Sequence, residues 1–380
     1  MSPAVLHVSQ TTCAGVARCV LDLAGHQVQQ GWEVTVATPE TDGLAGSVRA
    51  LGGAHHVWAA TRSPMPSSVG EAASLARIVT RVNPDVVHLH SSKAGLIGRL
   101  VIRGRIPTLF QPHGWSFLAV SGMRSNAAKA WERFAARWTT TLLCVSEAES
   151  REGKAVGIEA RFEVLANAVD VDRFHPSDDR ARAEAQRRLG LNGGPLVVCV
   201  GRLAYQKGQD ILLAGWARIR EQVPTAQLAI VGDARPGDGL QLPEVIPMGV
   251  IIAGARTDIP DWLTAADVVV LPSRWEGMSY VMLEAMASGR SVVATDVGGA
   301  REAVGAEDDR TAGVLVPPED PDALAAATVA RLLDRDLAGR EGAEGVARAR
   351  ARHDRRRWLS SMDDITTATM NPVPSGVLRP

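Results

Sequence analysis

Short runs of β-branched and other apolar residues alternate with longer amphipathic or alanine-rich segments along the chain. In the first half, the runs that predict strands are residues 5–8, 33–37, 85–90, 108–113 and 141–146. In the second half they are residues 195–201, 227–233, 250–254, 267–273, 291–296 and 313–317. Continuous apolar runs of this kind are typical of strands that helices bury on both faces. The alternation therefore predicts an α/β protein built from parallel sheets, with helices such as 16–30 and 72–82 between the strands.

A turn-rich stretch divides this pattern into two similar halves. After Asp170 the chain reads FHPSDD, then a charged run typical of a helix, then the turn cluster LNGGP, and apolar strands begin afresh. The predicted organisation is a Rossmann-like domain at 1–172, a linker at 173–194, a second Rossmann-like domain at 195–352, a helix at 353–370 that crosses back to the first domain, and a tail at 371–380. Two such domains are expected to face each other across a cleft, at the carboxyl ends of both sheets, where ligands of these folds bind.

Length, charge and cysteine content narrow the class of protein. The 380 residues suit two domains of ordinary size, and a formal net charge of −1 gives no indication of nucleic acid as a partner. The four cysteines form neither a CxxC pair nor a local Cys/His cluster, so neither a metal site nor a cofactor is expected. The start lacks signal-peptide features, and no run approaches the roughly 18 apolar residues of a spanning helix. We expect a cytoplasmic protein with reduced thiols.

The segment LPSRWEGMSYVMLEAMASGR, residues 271–290, combines a strand end, a loop and a helix predicted at 279–288. Glu276 lies in the loop before the helix, and Glu284 lies within the helix. The backbone N–H groups of residues 277–279 would cluster at the positive end of the helix dipole, where a diphosphate fits. The alternative is that Glu276 is a loop charge and Glu284 a solvated helix charge.

A second segment, VGRLAYQKGQD at residues 200–210, places two cations at a strand-to-helix turn. Arg202 follows the strand directly, and Lys207 opens the helix predicted at 211–220. Such cations could neutralise a leaving diphosphate. Each cation alone could equally be a solvated surface charge, so the segment gains its meaning from its pairing with the two glutamates.

Together, EGMSYVMLEAMASG and GRLAYQKG resemble the family 4 retaining glycosyltransferases of the GT-B fold. The similarity covers nearly the whole chain. The opening HVSQTTCAGVAR resembles the family's first strand, glycine loop and first helix, and VIIAGARTDIPDWLTAADVVVLPS resembles its nucleobase-binding strand and loop. EVLANAVDVDRF resembles its interdomain segment, with Ala166-Asn167-Ala168 where the family usually has Pro-Asn-Gly.

The resemblance implies transfer of a sugar from a nucleotide-diphosphate donor, with retention and without metal. Retention would follow from same-face attack, in which the leaving phosphate oxygen helps to deprotonate the acceptor. The residues that the resemblance places at the donor are Gly201, Arg202, Lys207, Arg256, Glu276, Gly277, Met278, Ser279, Glu284 and Gly15.

The resemblance also implies a role for the main residues among these. Arg202 and Lys207 would contact the diphosphate. Glu276 would bind hydroxyls of the sugar, and Glu284 those of the ribose, while Arg256 falls where the family holds the base. His113, in QPHGWSF, matches a histidine that faces the sugar, and the catalytic set implied is Glu276, His113, Arg202 and Lys207. The alternative for His113 is a structural histidine bonded to a backbone carbonyl.

The first loop departs from the family's usual pattern, and one acidic triplet imitates a metal-binding motif. The first loop reads TCAGV, with Gly15 as its single glycine where relatives often have two, so the contacts there stay open. It is not G-x-G-x-x-G, which argues against a nicotinamide cofactor. Asp170-Val171-Asp172 imitates a metal-binding DxD but matches the interdomain segment, and we interpret it as structural.

Acceptor binding is expected in the first domain, with Ser92, Lys93 and Trp115 as candidate contacts. Residues 93–138 carry eight cations against one carboxylate, interleaved with aromatic residues. Such a surface suits an anionic membrane or a phosphorylated lipid-linked acceptor, which would place the protein peripherally on the inner face of a membrane. The alternative is that Trp131, Phe134 and Trp138 form the buried face of a helix.

The functional prediction is therefore a hexosyltransferase that uses a nucleotide-diphosphate sugar, with UDP preferred over GDP from general resemblance. The acceptor would be a hydroxyl, for example on a lipid-linked or polysaccharide precursor. A catalytically silent sugar-nucleotide-binding subunit and a sugar-nucleotide epimerase of the same fold remain alternatives. The altered first loop keeps the silent subunit open, whereas the two cations and two glutamates favour transfer.

Overall fold

The computed structural model describes residues 2–39, 43–61, 68–191, 193–235, 237–240 and 242–371, so most of the predicted tail at 371–380 lies outside the described residues. The chain forms two compact units. The first unit comprises Met1–Ala166 together with Arg356–Pro380, and the second comprises Asn167–Arg355. Residues 173–194, expected to be a linker, thus fall within the second unit.

A seven-stranded parallel sheet forms the centre of the first unit, with the strand order β3-β2-β1-β4-β5-β6-β7. Its strands are β1 Ala4–Ser9, β2 Glu33–Thr38, β3 Ala54–Val57, β4 Val86–His90, β5 Thr108–Gln111, β6 Thr141–Cys144 and β7 Phe162–Val164. The predicted strands of this half are all present. The sequence pattern missed only the two edge strands, β3 and β7, which are short and only partly buried and therefore lack a continuous apolar run.

A six-stranded parallel sheet forms the centre of the second unit, with the order β10-β9-β8-β11-β12-β13. Its strands are β8 Leu196–Val200, β9 Gln227–Val231, β10 Val250–Gly254, β11 Val268–Leu271, β12 Ser291–Thr295 and β13 Gly313–Val316. Every residue of β8, β11 and β12 is buried, as expected for strands covered on both faces. All six predicted strands are present.

Helices connect the strands in both units. They are α1 Ala14–Gln29, α2 Leu44–Ala50, α3 Ser68–Val82, α4 Ser91–Ile102, α5 Gly122–Ala135, α6 Glu147–Ala155, α7 Asp179–Arg188, α8 Gln209–Gln222, α9 Ile259–Ala265, α10 Tyr280–Ala287, α11 Ala300–Val304, α12 Pro321–Leu333, α13 Arg335–Arg352 and α14 Arg355–Met370. Two Rossmann-like α/β units with parallel sheets are therefore confirmed. Among the described helices, none is both long and apolar enough to cross a membrane.

The C-terminal helix α14 packs within the first unit, as predicted. Met362 on this helix is fully buried. The hydroxyl of Thr369 donates a hydrogen bond to that of Thr141 at the start of β6 (2.9 Å), and His26 of α1 bonds Asp363 at 2.8 Å. Apolar burial and these polar contacts together hold the end of the chain against the sheet that its beginning forms.

The strand order of each sheet determines where loops can gather. In both sheets the order reverses direction beside the first strand of the unit, between β1 and β4 and between β8 and β11. Loops that leave neighbouring strands at such a reversal turn to opposite sides of the sheet and leave a crevice at the carboxyl ends. The segments that follow β8 and β11 carry most of the predicted donor-binding residues, whereas Gly15 follows β1 and Arg256 follows β10.

Candidate functional site

The loop that follows β11 is anchored to the loop that follows β8. The backbone N–H of Arg274 donates to the carbonyl of Gln206 (2.8 Å), and the Gln206 side chain donates to the carbonyl of Trp275 (3.1 Å). The Arg274 guanidinium also bonds both carboxylate oxygens of Asp210, at 2.9 and 2.7 Å. These contacts hold the residues just before Glu276 in one conformation.

The next part of this loop is held by its carbonyl groups. The Gly277 carbonyl accepts from the N–H of Gly299 (2.7 Å), and the Met278 carbonyl accepts from the side-chain amide of Asn167 (2.8 Å). In a trans peptide the following N–H points opposite to the carbonyl. The N–H groups of Met278 and Ser279 therefore point away from these anchors, just before α10, where the predicted anion site requires them.

Helix α10 has the limits that the sequence predicts. Ser279 is its N-cap, with a hydroxyl that accepts from the N–H of Met282 at 3.4 Å. Beyond the C-cap, Gly289 has a φ of 71° and donates to the carbonyl of Met286 (3.0 Å), as a C′ glycine does. Glu284 in this helix is only 8% exposed. The alternative that Glu284 is a solvated charge is therefore wrong.

Lys207 and Glu276 form an ion pair at the centre of the site. The Ser273 hydroxyl donates to the same Glu276 oxygen at 3.0 Å. Gly208, directly after Lys207, has a φ of 65°, and a Cβ there would lie 2.0 Å from the carbonyl oxygen of Pro272. The two loops thus approach so closely that only glycine fits, which brings the cation of one to the carboxylate of the other.

Arg202, the second predicted cation, pairs with Asp238, whose side chain is 2% exposed. The second carboxylate oxygen of Asp238 accepts from the backbone N–H of Arg235 (3.0 Å), and its carbonyl accepts from the N–H of Tyr205 (2.9 Å). Sequence analysis missed Asp238. It lies 36 positions from Arg202, in a glycine-rich loop without an apolar run, and no local pattern indicates the contact.

Two further donor-site candidates lie at strand ends of the second unit. Gly201 directly follows β8, and its carbonyl oxygen would lie 2.0 Å from a Cβ on Gly232, which directly follows β9, so the backbones beyond these two strands touch. Arg256 follows β10 and pairs with Asp258, and this hydrogen bond lowers the pKa of Asp258. Arg256 remains 42% exposed and so can reach a ligand.

In the first unit, the loop after β1 contains an unusual backbone conformation. Ala14 has a φ of 57°, in the left-handed region that favours glycine, and Gly15 follows it in the first turn of α1. Cys13 is the N-cap but makes no side-chain capping bond. The N–H groups of this first turn have no partner within the helix, so Gly15 can offer its amide to a ligand, as proposed from the sequence.

His113 follows β5 with a φ of 55°, and Glu149 stabilises the backbone beside it. The Glu149 carboxylate accepts from the N–H of Gly114 (2.5 Å) and from the N–H of Val145 (2.7 Å). Burial raises the pKa of Glu149 to about 7, although these two N–H groups lower it. Sequence analysis missed Glu149. Its signal was the capping pattern Ser146-x-x-Glu149, in which the Ser146 hydroxyl accepts from the Glu149 N–H at 3.0 Å.

Four histidines on β1, β4 and the segment after β5 gather in space, although the sequence contains no local ligand cluster. His7, His88 and His90 are fully buried, and their nitrogen atoms lie within 4.8 Å of one another. His113 contacts this group through a 3.3 Å hydrogen bond to His90. Burial lowers the pKa of His7 to about 4 and that of His113 to about 3, and holds those of His88 and His90 well below 6.5.

The expected acceptor contacts require two corrections. Trp115 is 1% exposed, and its indole N–H donates to the carbonyl of Glu149 at 2.7 Å, so it is a core residue and not an acceptor contact. Lys93 is 8% exposed and pairs with Glu71 at 2.7 Å, so its ammonium is directed into the unit. Only Ser92, partly exposed in the first turn of α4, remains a candidate.

The basic, aromatic stretch at 93–138 is divided between interior and surface. Arg99 is fully buried, pairs with Glu132 at 2.7 Å and stacks on Phe110. Phe134 stays 43% exposed, so the aromatic residues of α5 are not simply a buried helix face. The side chain of Met123, at the start of α5, is 88% exposed.

Comparisons with known proteins agree with this architecture. Residues 14–173 match the family model Glycosyltransferase Family 4, and residues 194–334 match the model Glycosyl transferases group 1. The chain belongs to the family 4 glycosyltransferases. It is 31% identical to the Escherichia coli UDP-Gal:alpha-D-GlcNAc-diphosphoundecaprenol alpha-1,3-galactosyltransferase, over 67% of this chain and 68% of that protein.

Two further matches, one to a sequence and one to a solved structure, extend the comparison. The chain is 36% identical to the Mycobacterium tuberculosis GDP-mannose-dependent alpha-(1-6)-phosphatidylinositol monomannoside mannosyltransferase, over 61% of each protein. The crystal structure of Anabaena HepE in complex with UDP and glucose has a TM-score of 0.79 and 22% identity, and the match covers 96% of this chain and 99% of that one. This last likeness shows the GT-B fold.

The packing around Glu276 in this glycosyltransferase predicts what the added methyl group of a Gly298→Ala substitution would do to stability and ligand binding. Gly298 has a φ of 52°, and a Cβ there would lie 2.1 Å from the Glu276 carbonyl oxygen. Gly298→Ala should therefore displace the Glu276 loop, destabilise the fold by about 1–3 kcal/mol beyond the backbone strain, and weaken donor binding. Thermal unfolding and nucleotide titration measure both effects.

The control is Gly31→Ala, because Gly31 has a φ of 81° but nothing within 4 Å of its Cβ position. This variant should show only the strain of a left-handed alanine, about 1 kcal/mol. Equal losses in the two variants would mean that backbone strain, and not the contact with Glu276, determines the outcome.

The buried histidines predict a loss of stability in mild acid. The folded-state pKa of His7, about 4, lies below the ordinary 6.5, so between these values the unfolded chain binds a proton that the fold excludes. The free energy of unfolding should fall as pH drops below 6.5, by up to about 3 kcal/mol from His7 alone. Urea unfolding from pH 8 to pH 5 measures this dependence.

The matched variant is His7→Gln, which removes one titrating ring and should give a shallower dependence between pH 6.5 and 5. Glu149 has the opposite sign, because its raised pKa makes the fold lose stability as pH rises from 4.5 towards 7. Its contribution is common to both proteins and cancels in the comparison. Superimposable pH dependences would contradict the assignment of a depressed pKa to His7.

Proposed function

We propose that this chain transfers a hexosyl residue from a nucleotide-diphosphate sugar, UDP preferred, to a hydroxyl acceptor, with retention and without metal. The observation that carries the proposal is the ion pair of Lys207 with Glu276, together with the N–H groups of Met278 and Ser279 at the start of α10, which point away from the partners of the preceding carbonyls. The cation and the amides would bind the diphosphate, and the carboxylate would bind hydroxyls of the sugar attached to it.

The charges of this site match those that the reaction develops. Breaking the bond from the anomeric carbon to the phosphate oxygen leaves positive charge on the sugar and negative charge on the phosphate. An ammonium has three donors, so Lys207 can hold Glu276 and a phosphate oxygen together. Arg202 would supply a second cation while Asp238 fixes its position. Groups that are already oriented stabilise the leaving phosphate without reorganisation.

Metal independence and retention rest on the family resemblance and on these cations. Lys207 and Arg202 would take the place that a divalent cation has at a diphosphate. In same-face attack, the acceptor oxygen bonds the anomeric carbon as the phosphate oxygen leaves, and that oxygen accepts the acceptor's proton. No protein nucleophile is required. Transfer that persists in EDTA and conserves the anomeric configuration would support both points.

The relatives differ in the nucleotide named for each of them, so the nucleobase of the donor must be tested. The E. coli relative is named for UDP-Gal and the Anabaena structure holds UDP and glucose, whereas the Mycobacterium relative is named for GDP-mannose. A thermal-shift panel of UDP, GDP and their sugars, with and without EDTA, distinguishes them. A ligand at 100 times its Kd stabilises by about 2.7 kcal/mol. Binding without turnover on any acceptor would instead favour a silent sugar-nucleotide-binding subunit.

Glu276→Gln should separate sugar transfer from nucleotide binding. The amide keeps the size of the side chain but cannot form the ion pair with Lys207 or accept hydrogen bonds at both terminal atoms. We expect transfer to fall by about 100-fold or more, the effect of removing one oriented group from a reacting site. Affinity for the free nucleoside diphosphate should change little, as thermal shift would show.

The control for Glu276→Gln is Glu221→Gln, on the exposed face of α8 in the same unit. That variant should retain full transfer and the same melting temperature. Undiminished transfer by Glu276→Gln would remove Glu276 from the site.

A lipid-linked acceptor is supported by an exposed apolar patch, which we define as Leu118, Val120 and Met123. These residues are 37%, 39% and 88% exposed, and Arg124 beside them is exposed as well. Apolar side chains flanked by cations suit the surface of an anionic membrane. The names of both curated relatives include lipid-linked acceptors, a diphosphoundecaprenol and a phosphatidylinositol mannoside.

Co-sedimentation with vesicles of phosphatidylglycerol and phosphatidylcholine tests this patch. The protein should bind the anionic vesicles, and Met123→Glu should weaken binding at least about tenfold, because inserting a methionine side chain contributes about 2 kcal/mol. Met248→Glu is the control, since Met248 is 78% exposed in the second unit. Equal binding by both variants would contradict a membrane role for the patch.

A further inference from the structure

A chain of hydrogen bonds runs from the interior of the first unit to His113. The Gln27 side-chain oxygen lies 2.7 Å from Nε2 of His7, and Nδ1 of His7 lies 3.1 Å from Nε2 of His90. Nδ1 of His90 lies 3.3 Å from Nε2 of His113. Gln27, His7 and His90 are all fully buried. Each imidazole in the chain therefore uses ring nitrogens to contact its neighbours, in one continuous line.

The imidazoles of this chain are neutral at ordinary pH. Burial is the largest effect on all three. It lowers the pKa of His7 to about 4 and that of His113 to about 3, and it holds the pKa of His90 well below the ordinary 6.5. A neutral imidazole carries one proton, so one nitrogen donates and the other accepts. If the position of the proton is fixed on the first imidazole of a hydrogen-bonded series, it is therefore fixed on all the imidazoles that follow.

The Gln27 carbonyl oxygen determines the direction of the chain, because it can only accept. His7 must then donate from Nε2, which leaves its Nδ1 as an acceptor. His90 must donate from Nε2 to that atom and accept at Nδ1. His113 must in turn donate from Nε2 to His90. The lone pair of His113 is therefore on Nδ1, the nitrogen that does not face His90.

We propose that Gln27, His7 and His90 are positioning residues that hold His113 in the Nε2–H tautomer, so that its Nδ1 accepts a hydrogen bond from a hydroxyl of the bound substrate. The consequence for catalysis rests on the proposed function, whereas the tautomer does not. A lone pair at Nδ1 cannot donate to a phosphate oxygen. His113 therefore serves the hydroxyl-bearing part of the substrate and not the diphosphate.

Two contacts restrict the geometry of this relay. The ring of His88 lies against that of His90, with centroids 3.8 Å apart, and limits its rotation. Glu149 binds the N–H of Gly114 and so holds the backbone on which His113 is placed. The same nitrogens could be imagined as ligands of a cation. A cation held between His7 Nδ1 and His90 Nε2 would need a lone pair on each, whereas these two atoms lie at hydrogen-bond distance from each other, and a hydrogen bond needs a proton on one of them.

Nitrogen NMR of the full chain labelled with ¹⁵N-histidine tests the relay without any substrate. The His113 signals are assigned by their loss in His113→Gln. We expect a protonated Nε2 and an unprotonated Nδ1 in the wild type and in Gln27→Glu, which keeps the acceptor. Gln27→Met removes the acceptor, and His113 should then become a mixture of tautomers. Gln29→Met, on the exposed face of α1, is the control and should leave the signals unchanged.

A protonated Nδ1 on His113 in the wild type would overturn the proposal, since it would mean that Gln27 donates and that every proton in the line is reversed. Added Zn²⁺ should leave the His7 and His90 signals unchanged. Stoichiometric shifts would overturn the relay and assign a cation site instead. An Nε2–H tautomer that is the same in Gln27→Met would show that Gln27 does not direct it.

Kinetics distinguish a failure of the relay from a failure of the proposed function. If transfer occurs, Gln27→Met should lower kcat/KM about fivefold, the factor expected for one neutral hydrogen bond. It should have no effect in a His113→Ala background, because Gln27 acts through His113. The expected tautomer without transfer activity would contradict the function alone. Equal losses in both backgrounds would show that Gln27 acts only on stability.

Discussion

The close approach of backbone to backbone around Glu276 is the constraint on which the proposed donor site depends. A Cβ on Gly208 would lie 2.0 Å from the carbonyl oxygen of Pro272, and one on Gly298 would lie 2.1 Å from that of Glu276. Two non-bonded heavy atoms cannot lie this close together in a packed interior, so neither position can accept a Cβ. The Glu276 loop is thus enclosed on two sides by glycines. This packing brings Lys207 to Glu276, while the carbonyl bonds to Gly299 and Asn167 set the direction of the loop's N–H groups.

The charged groups of the site are also held in place by the fold itself. Lys207 and Arg202 each pair with a carboxylate of the fold, so their positions are determined before any ligand arrives. The first unit uses the opposite approach. Beside His113 it buries the imidazoles of His7, His88 and His90, and burial lowers the pKa of each ring.

Local patterns in the sequence predicted the fold well and the site in part. Central strands such as β8 and β11 are continuous apolar runs, whereas the edge strand β3 is short and partly exposed, so the same criterion missed it. The spacing of Glu276 and Glu284 on a loop and helix was visible because both lie within nine residues. Contacts between distant segments were not visible. Asp238 beside Arg202, and Glu149 beside Gly114, come together only when the sheet orders its strands.

The two errors about acceptor contacts have the same origin. Trp115 and Lys93 follow strand ends, where ligand-binding residues often lie, but position along a strand does not determine which way a side chain turns. Trp115 turns into the core because Glu149 offers a carbonyl to its indole. Lys93 turns inward because Glu71, on the preceding helix, is buried at bonding distance. Aromatic and cationic residues near a strand end thus need a partner search in three dimensions before they are assigned to a surface.

The placement of α14 has a consequence for how the protein is made. The first unit needs this helix, yet the whole second unit, Asn167–Arg355, is synthesised before it. At an ordinary rate of translation this delay is roughly 10 to 40 seconds. During that time the surface around Thr141 and His26 lacks its cover, while the second unit is a continuous segment and can fold at once. The half of the molecule that leaves the ribosome first is therefore the half that is completed last.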